Sequence, residues 1–391
     1  MTTHPALPRA HPADVGLCPE RTQRLMEVLR REVASGRLPG AVAMIARRGQ
    51  IALLEAVGQQ DPNTGTPMQT DSIFRIYSMT KPVVSVAVMM LFERGQLLLS
   101  DPVSRWLPEY ANQQVATAQG LEPVKQVATV QDLLRHTAGL TYEFLGTSPV
   151  QQQYDLVKIA SRERTNAEFS QTLAALPLQF QPGSMWAYSR ATDVLGRLVE
   201  VVSGQTLGAF LQAEIFGPLG MVETGFAVPP EHHHRIAEPF AHDPDGGVPM
   251  KVLEPRQVPA MEGGGGGLMS TMLDYSRFLQ CLRNRGELNG VRLLGPHTVD
   301  YMTADHLGRI PADGTLLPPG HGFGLGFAVR THLGMAPVPG SVGLYYWGGI
   351  AGTTFFVDPA LDMVAMLMIQ APNQRDYYRP LFRDLVYAAL L

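Results

Sequence analysis

The chain has 391 residues, 45% of them apolar and 17% charged, with 31 Lys and Arg against 35 Asp and Glu for a formal net charge of −4. That length predicts two or three domains, or one large intertwined unit, with core enough to fold without disulfide or metal staples. Low charge and high apolar content argue against disorder and a coiled coil, and an acidic balance without a basic block argues against nucleic-acid binding. Cys18 and Cys281 are the only cysteines, too far apart in sequence for a disulfide framework, zinc ribbon or CxxC pair. No apolar stretch approaches the roughly 20 residues of a bilayer span. The opening MTTHPALPRAHPADVG lacks the apolar core of a secretory signal, so a cytoplasmic protein is expected.

In chain order, residues 1–19 read as an extended arm. Leu25, Val28, Leu29 and Val33 then recur near the helical period until Gly36 and Pro39-Gly40. AVAMIAR (41–47) and IALLEAV (51–57) flank Arg48-Gly49 and predict an antiparallel hairpin. An apolar helix is predicted from Ser78 to about Arg94, with Gly95 as its stop. Pro82 is tolerable there because it falls in the first turn, where amides lack helical partners. Helical patterns follow over 129–136, 151–173, 190–203, 207–215 and 273–285, interrupted by Gly263–Gly267. FGLGFAV (323–329), LYYWGG (344–349), TTFFV (353–357) and DMVAMLMI (362–369) predict strands. Residues 377–391 predict an amphipathic closing helix with Leu381, Leu385 and Ala388 on one side. Strands at both ends with helices between predict one antiparallel sheet. Residues 1–100 and 290–391 would form an α/β region, and 101–289 a mostly helical region inserted into it, with the active site in the crevice between them.

Ser78-Met79-Thr80-Lys81 carries the first chemical signal. Residues three apart share a helix face, with Cβ atoms about 5–6 Å apart. A hydroxyl is a poor nucleophile until a base takes its proton, and a lysine is that base only if burial or a nearby cation brings its pKa down to about 7–8. On these four residues alone, a serine N-cap beside an exposed lysine is the favoured reading.

Other signals are weaker. Gly146-Thr147-Ser148-Pro149-Val150 lacks the last glycine of a nucleophile elbow. His136 reads as a structural histidine beside the site, and Tyr142 as a pocket or loop aromatic. His232-His233-His234 and His242 have no zinc-like spacing. Gly263–Gly267 lacks the Lys of a phosphate loop, and its glycines predict a close backbone approach to the pocket. GFGLG (322–326) lies in a strand pattern and opens no helix, so it is not a dinucleotide fingerprint.

The segment around the first signal, IFRIYSMTKPVVSVAVMMLFERGQLLLSDPVSRWLPEY (73–110), resembles the serine β-lactamase and penicillin-recognising superfamily, above all the class C enzymes and the family VIII carboxylesterases. DLLRHTAGL (132–140), FQPGSMWAYSRATDVLGRLVEVVSG (180–204), FGPLGM (216–221), GGGGGLMSTMLDYSRF (263–278), GFGLGF (322–327) and WGGIAGTTFFVDP (347–359) continue the resemblance in order. It implies the serine β-lactamase-like α/β fold. It implies Ser78 as acylated nucleophile, Lys81 as its partner, and Tyr188 as the second-motif tyrosine that moves protons to and from Ser78, leaving group and water. A tyrosine in that role needs a nearby ammonium to lower its pKa. Trp347-Gly348-Gly349 aligns with the third motif; the amides of Ser78 and Ile350 would form the oxyanion hole, and Trp347 would line the acyl pocket.

Two departures bear on substrate. Tyr188-Ser189-Arg190 stands where β-lactamases have Tyr-x-Asn, and Trp347 replaces the third-motif lysine that pairs with the β-lactam carboxylate. Both point toward neutral esters. The expected function is therefore hydrolysis of small or short-acyl carboxylic esters through a Ser78 acyl-enzyme, on a small-molecule substrate, with no cofactor or metal. A β-lactamase or D-amino-acid peptidase, an acyltransferase and a non-catalytic binding scaffold are the alternatives.

Overall fold

The computed structural model describes residues 7–247, 251–314 and 316–391. Helix α1 (Pro19–Ala34) leads into strands β1 (Gly40–Arg47), β2 (Gln50–Asp61) and the short β3 (Thr66–Pro67). After helices α2 (Thr80–Glu93), α3 (Ala191–Ser203) and α4 (Met272–Arg283), the chain returns to strands. These are β4 (His321–Phe323), β5 (Ala328–Arg330), β6 (Tyr345–Gly348), β7 (Thr354–Asp358) and β8 (Met363–Ile369), followed by the closing helix α5 (Arg375–Ala388).

The eight strands form one antiparallel sheet in the order β4-β5-β6-β7-β8-β1-β2-β3. The two ends of the chain meet at its centre, where Val42 lies opposite Met368 and Met44 opposite Met366. Arg48 and Gly49 both take positive φ, 53° and 73°, which turns β1 into β2 with the twist a two-residue hairpin needs. Side chains alternate across β1. Ala41, Ala43 and Ile45 pack with Leu25, Met26 and Leu29 of α1 and Tyr378, Phe382 and Val386 of α5. Val42, Met44 and Ala46 join the larger core with α2. A sheet covered on both faces explains why β1 and β8 read as unbroken apolar runs.

Helix α2 is buried from Thr80 to Leu91, so it carries apolar residues all round instead of a stripe. A ribbon pairing Ile73–Arg75 with Met269–Thr271 ties the segment before α2 to the segment before α4. That pairing brings the glycine run beside Ser78. The architecture is thus the expected one: an antiparallel sheet flanked by helices, with a largely helical insertion.

Details differ from expectation. The helix predicted over 151–173 is two, Pro149–Leu156 and Asn166–Ala174. Each starts on its own capping box, Ser148 with Gln151 and Thr165 with Glu168, and the second box marks a new helix start. The strand predicted over 323–329 is the β4–β5 hairpin: Gly326 has φ 100°, and a Cβ on Gly324 would lie 2.3 Å from the Met302 carbonyl. The helix predicted over 207–215 ends at Leu211 and passes through a π turn, Gln212–Phe216. The N-terminal arm contains a 3-10 turn at Pro12–Val15, and residues 1–6 lie outside the described residues. In α5 the buried face is Tyr378, Phe382 and Val386; Leu381 and Leu385 border it and Ala388 is exposed. Among the described residues no single helix is long and apolar enough to cross a membrane.

Candidate active site

Ser78 sits in a 3-10 turn, Tyr77–Met79, that runs into α2. Tyr77 holds φ 43°, left-handed for a bulky residue, a conformation that costs about 1–3 kcal/mol and needs its surroundings to enforce it. Its hydroxyl accepts the Leu253 amide at 2.9 Å, which fixes the side chain.

One helical turn on, the fully buried Lys81 amine donates to the Gly265 carbonyl at 2.6 Å, the Tyr142 hydroxyl at 2.8 Å and Ser78 Oγ at 3.3 Å. Burial, reinforced by the charge of Arg190 and opposed by Asp193, lowers its pKa to about 7. A neutral amine keeps two N–H donors and gains a lone pair. With the donors on Gly265 and Tyr142, the lone pair is left for the Ser78 hydroxyl.

Tyr188 lies with its ring centroid 4.4 Å from Lys81 Nζ. Its hydroxyl bonds to Ser78 and accepts Trp347 Nε1–H at 3.1 Å. Its pKa is raised, not lowered: burial outweighs the pull of both bonds. The expectation of a phenol acidified by a lysine ammonium is therefore reversed. The group poised near neutrality is the lysine, and Tyr188 stays a protonated phenol.

The glycine run supplies what its composition predicts. Asp193 Oδ1 accepts the Gly265 amide at 2.8 Å, fixing the peptide that presents its carbonyl to Lys81. A Cβ on Gly264 would lie 2.5 Å from the Thr192 carbonyl, and one on Gly265 2.7 Å from Asp193 Oδ2. Asp193 also pairs with Arg190 at 3.5 Å, and Arg190 with Glu143 at 2.5 Å. The Arg190 guanidinium lies 4.7 Å from the Tyr142 ring centroid. Tyr142, expected only to line the pocket, is thus a direct partner of Lys81.

On the opposite wall, the end of β6 approaches the backbone before Ser78. A Cβ on Gly349 would lie 2.4 Å from the Ile76 carbonyl, and one on Gly348 2.8 Å from the Arg379 guanidinium. Arg379, on α5, donates to the Gly349 carbonyl and, at 3.4 Å, to the Thr353 carbonyl. Gly349 C=O and Ile350 N–H belong to one peptide, so Arg379 holds the plane that aims the Ile350 amide. Ser78 and Ile350 both line two connected arms of the cavity. The first, about 140 Å3, is walled by Tyr188, Tyr346, Trp347, Arg375 and Arg379. The second, about 300 Å3, is walled by Tyr142, Arg162, Lys251 and the glycine run. The arginines and Lys251 were not singled out in the sequence. They lie in segments with no motif, and only the tertiary fold brings them to Ser78.

His136 behaves as a structural residue. It is buried, its Nδ1 bonds Ser189 Oγ at 3.0 Å, and its ring packs 5.0 Å from that of Tyr188. Burial, then the Lys81 charge, push its pKa well below the ordinary value, so it is neutral. Among the described residues no group of three or more His, Cys, Asp or Glu is arranged to hold a metal ion.

A serine, a buried lysine and a tyrosine meeting between an antiparallel sheet and a helical insertion define a serine hydrolase of the penicillin-recognising type. The Beta-lactamase family model matches residues 25–388, and the chain belongs to that family. Esterase EstB of Burkholderia gladioli is 37% identical over 398 residues, covering 93% of this chain and 95% of its own. Two solved structures superpose closely. EstCE1, a hydrolase with promiscuous acyltransferase activity, gives a TM-score of 0.79 at 28% identity, covering 94% of this chain and 98% of that one. Simvastatin synthase of Aspergillus terreus gives 0.77 at 26% identity, with the same 94% and 98% coverage. These likenesses support ester-hydrolysing or acyl-transferring chemistry in this chain.

Proposed function

We propose that this protein is a carboxylic ester hydrolase that works through an acyl-enzyme on Ser78 and favours short acyl groups. The observation that carries the reading is the Lys81 amine, fully buried, titrating at about 7 and 3.3 Å from Ser78 Oγ. Neutral Lys81 takes the Ser78 proton as Oγ attacks the ester carbonyl. The amides of Ser78 and Ile350 hold the developing oxyanion; one such donor contributes roughly 3–4 kcal/mol. Tyr188 protonates the leaving alcohol oxygen and regains a proton from the Lys81 ammonium, so the Tyr188 proton departs with the alcohol and the proton taken from Ser78 replaces it. Water then attacks the acyl carbonyl along the same relay, releasing the acid and restoring Ser78. Arms of about 140 and 300 Å3 suit small substrates. The similarity to EstB supports the same reading.

A second reading, transfer of the acyl group to an alcohol, is favoured by the two arms both opening at Ser78 and by the likeness to EstCE1. One experiment tests both. An organophosphonate should label Ser78, seen by mass spectrometry, and Ser78→Ala should abolish p-nitrophenyl butyrate turnover. Added alcohols would reveal transfer, and nitrocefin and a D-Ala-D-Ala peptide run alongside would reveal lactam or peptide cleavage. Full ester turnover by Ser78→Ala would remove the proposal.

A further inference from the structure

We propose that the acyl arm of the cavity takes an acyl group bearing a carboxylate, gripped by Arg162, so that the preferred substrates are half-esters of short dicarboxylic acids. This rests on the ester-hydrolase reading, which decides which arm holds which half of the substrate. A leaving alcohol must sit beside the group that protonates it. Tyr188 walls the arm of about 140 Å3, so the alcohol half lies there, and Trp347 on the same wall faces the alcohol and not, as expected from the resemblance, the acyl group. The acyl half then occupies the arm of about 300 Å3, walled by Tyr142, Arg162 and Lys251.

The charges in that arm do not balance. Glu143 and Asp193 are both spent on Arg190. Arg162 makes no ion pair among the described residues, and its Nη2 is buried without a hydrogen-bond partner. Exposed Lys251 stands on the same cavity wall. Burial lowers the Arg162 pKa, with Tyr77 and Asp193 acting the other way, yet a guanidinium keeps its proton. A half-buried guanidinium with no ion pair among the described residues, on a cavity wall, is open to an anion, and its planar fork of donors matches a carboxylate. The backbone is built to hold Arg162 in place. Its carbonyl accepts the Met261 amide at 3.2 Å, and Arg164 clips the loop by donating to the carbonyls of Val157 at 2.5 Å and Lys158 at 2.8 Å. This loop is the break between Pro149–Leu156 and Asn166–Ala174, where the sequence predicts unbroken helix. The neutral-ester expectation drawn from Ser189-Arg190 and Trp347 takes no account of cations that arrive from elsewhere in the chain.

The test compares benzyl alcohol release from monobenzyl glutarate and from benzyl pentanoate, the same chain without the carboxylate. Wild type is expected to favour the half-ester in kcat/KM by at least about tenfold, the size of a charge-assisted hydrogen bond. R162A should bring that ratio to within about twofold of unity, and R162K should recover part of it, because an ammonium keeps the charge but not the fork. Independently of any variant, free glutarate should inhibit wild-type cleavage of benzyl pentanoate competitively at concentrations where pentanoate does not. No preference in wild type, or a ratio unchanged in R162A, overturns the acyl-arm proposal and leaves the ester-hydrolase reading standing. Release of benzyl alcohol from neither ester overturns both.

Discussion

Lys81 sets chemistry and stability through one ionisation. In the folded protein its amine titrates at about 7; in the unfolded chain it titrates near the ordinary lysine value of about 10.4. Between those values the unfolded chain binds one proton that the folded chain does not. Stability therefore rises with pH across the window, by about 1.4 kcal/mol per unit, and the gap integrates to roughly 4–5 kcal/mol. The burden is fully present below the folded pKa and gone above the unfolded one. Lys81→Met removes the titrating group and keeps an unbranched stem. Its lost bonds to Tyr142 and Gly265 offset the comparison by a constant and leave the slope untouched.

Urea unfolding of wild type and Lys81→Met, at constant ionic strength, reads that slope. Relative to the variant, wild type should gain about 1.4 kcal/mol per pH unit between about pH 7.5 and 10, and nothing between about pH 5 and 6.5. The same proton should appear in catalysis, with kcat/KM for a neutral short-acyl ester rising with unit slope below about pH 7 and levelling above it. Parallel stability curves for the two proteins, or a flat kcat/KM from about pH 5 to 9, would refute the buried-base argument.

Trp347→Phe keeps a ring in the wall but removes the Nε1–H bond to Tyr188; kcat should fall about tenfold, matching one net hydrogen bond, as steady-state kinetics will read. Arg379→Ala frees the Gly349 carbonyl, so the Ile350 amide loses its aim. Expected is a kcat loss approaching the 10²–10³ of a missing oxyanion donor, roughly, with KM changed less than about threefold and partial recovery in Arg379→Lys. Gly264→Ala places a Cβ 2.5 Å from the Thr192 carbonyl; it should cost about 1–3 kcal/mol by thermal unfolding and move the acid limb of kcat/KM, because the adjacent Gly265 carbonyl is a Lys81 partner.

What could be read from the sequence follows from where each feature's geometry is encoded. The spacing of Ser78 and Lys81 puts both on one side of the start of α2, but the four residues alone favour a capping serine, and their roles came from the resemblance around them. β1 and β8 are legible because strands buried on both faces must be apolar throughout. Tyr188 and Trp347 came from a collinear resemblance; nothing local marks them, and their mutual bond is visible only in three dimensions. Gly265 acts through its carbonyl, an atom every residue owns. Arg379 and Arg162 reach the cavity from the closing helix and from a loop that periodicity had read as helix. That last failure was avoidable, since Thr165 followed by Glu168 is a helix start written in the sequence. The direction of the Tyr188 shift was not legible, because it depends on burial outweighing two hydrogen bonds.

The site is assembled against the chain's own preferences, and the fold supplies the means. A buried lysine costs roughly 4–5 kcal/mol at neutral and lower pH, and a left-handed Tyr77 about 1–3 kcal/mol more. Both lie at the start of one helix. Val83, Val84, Val86, Val88, Met89 and Leu91 on that helix are each at most 1% exposed, and burying a side chain of that kind contributes about 1.5–3 kcal/mol. Their sum, roughly 9–18 kcal/mol, is about twice the combined cost before chain entropy is counted. An ordinary amphipathic helix would leave Lys81 on a wet face with a pKa near 10 and no base for Ser78. The all-round apolar character of α2, which first reads as a plain core helix, is therefore the feature that makes the lysine usable.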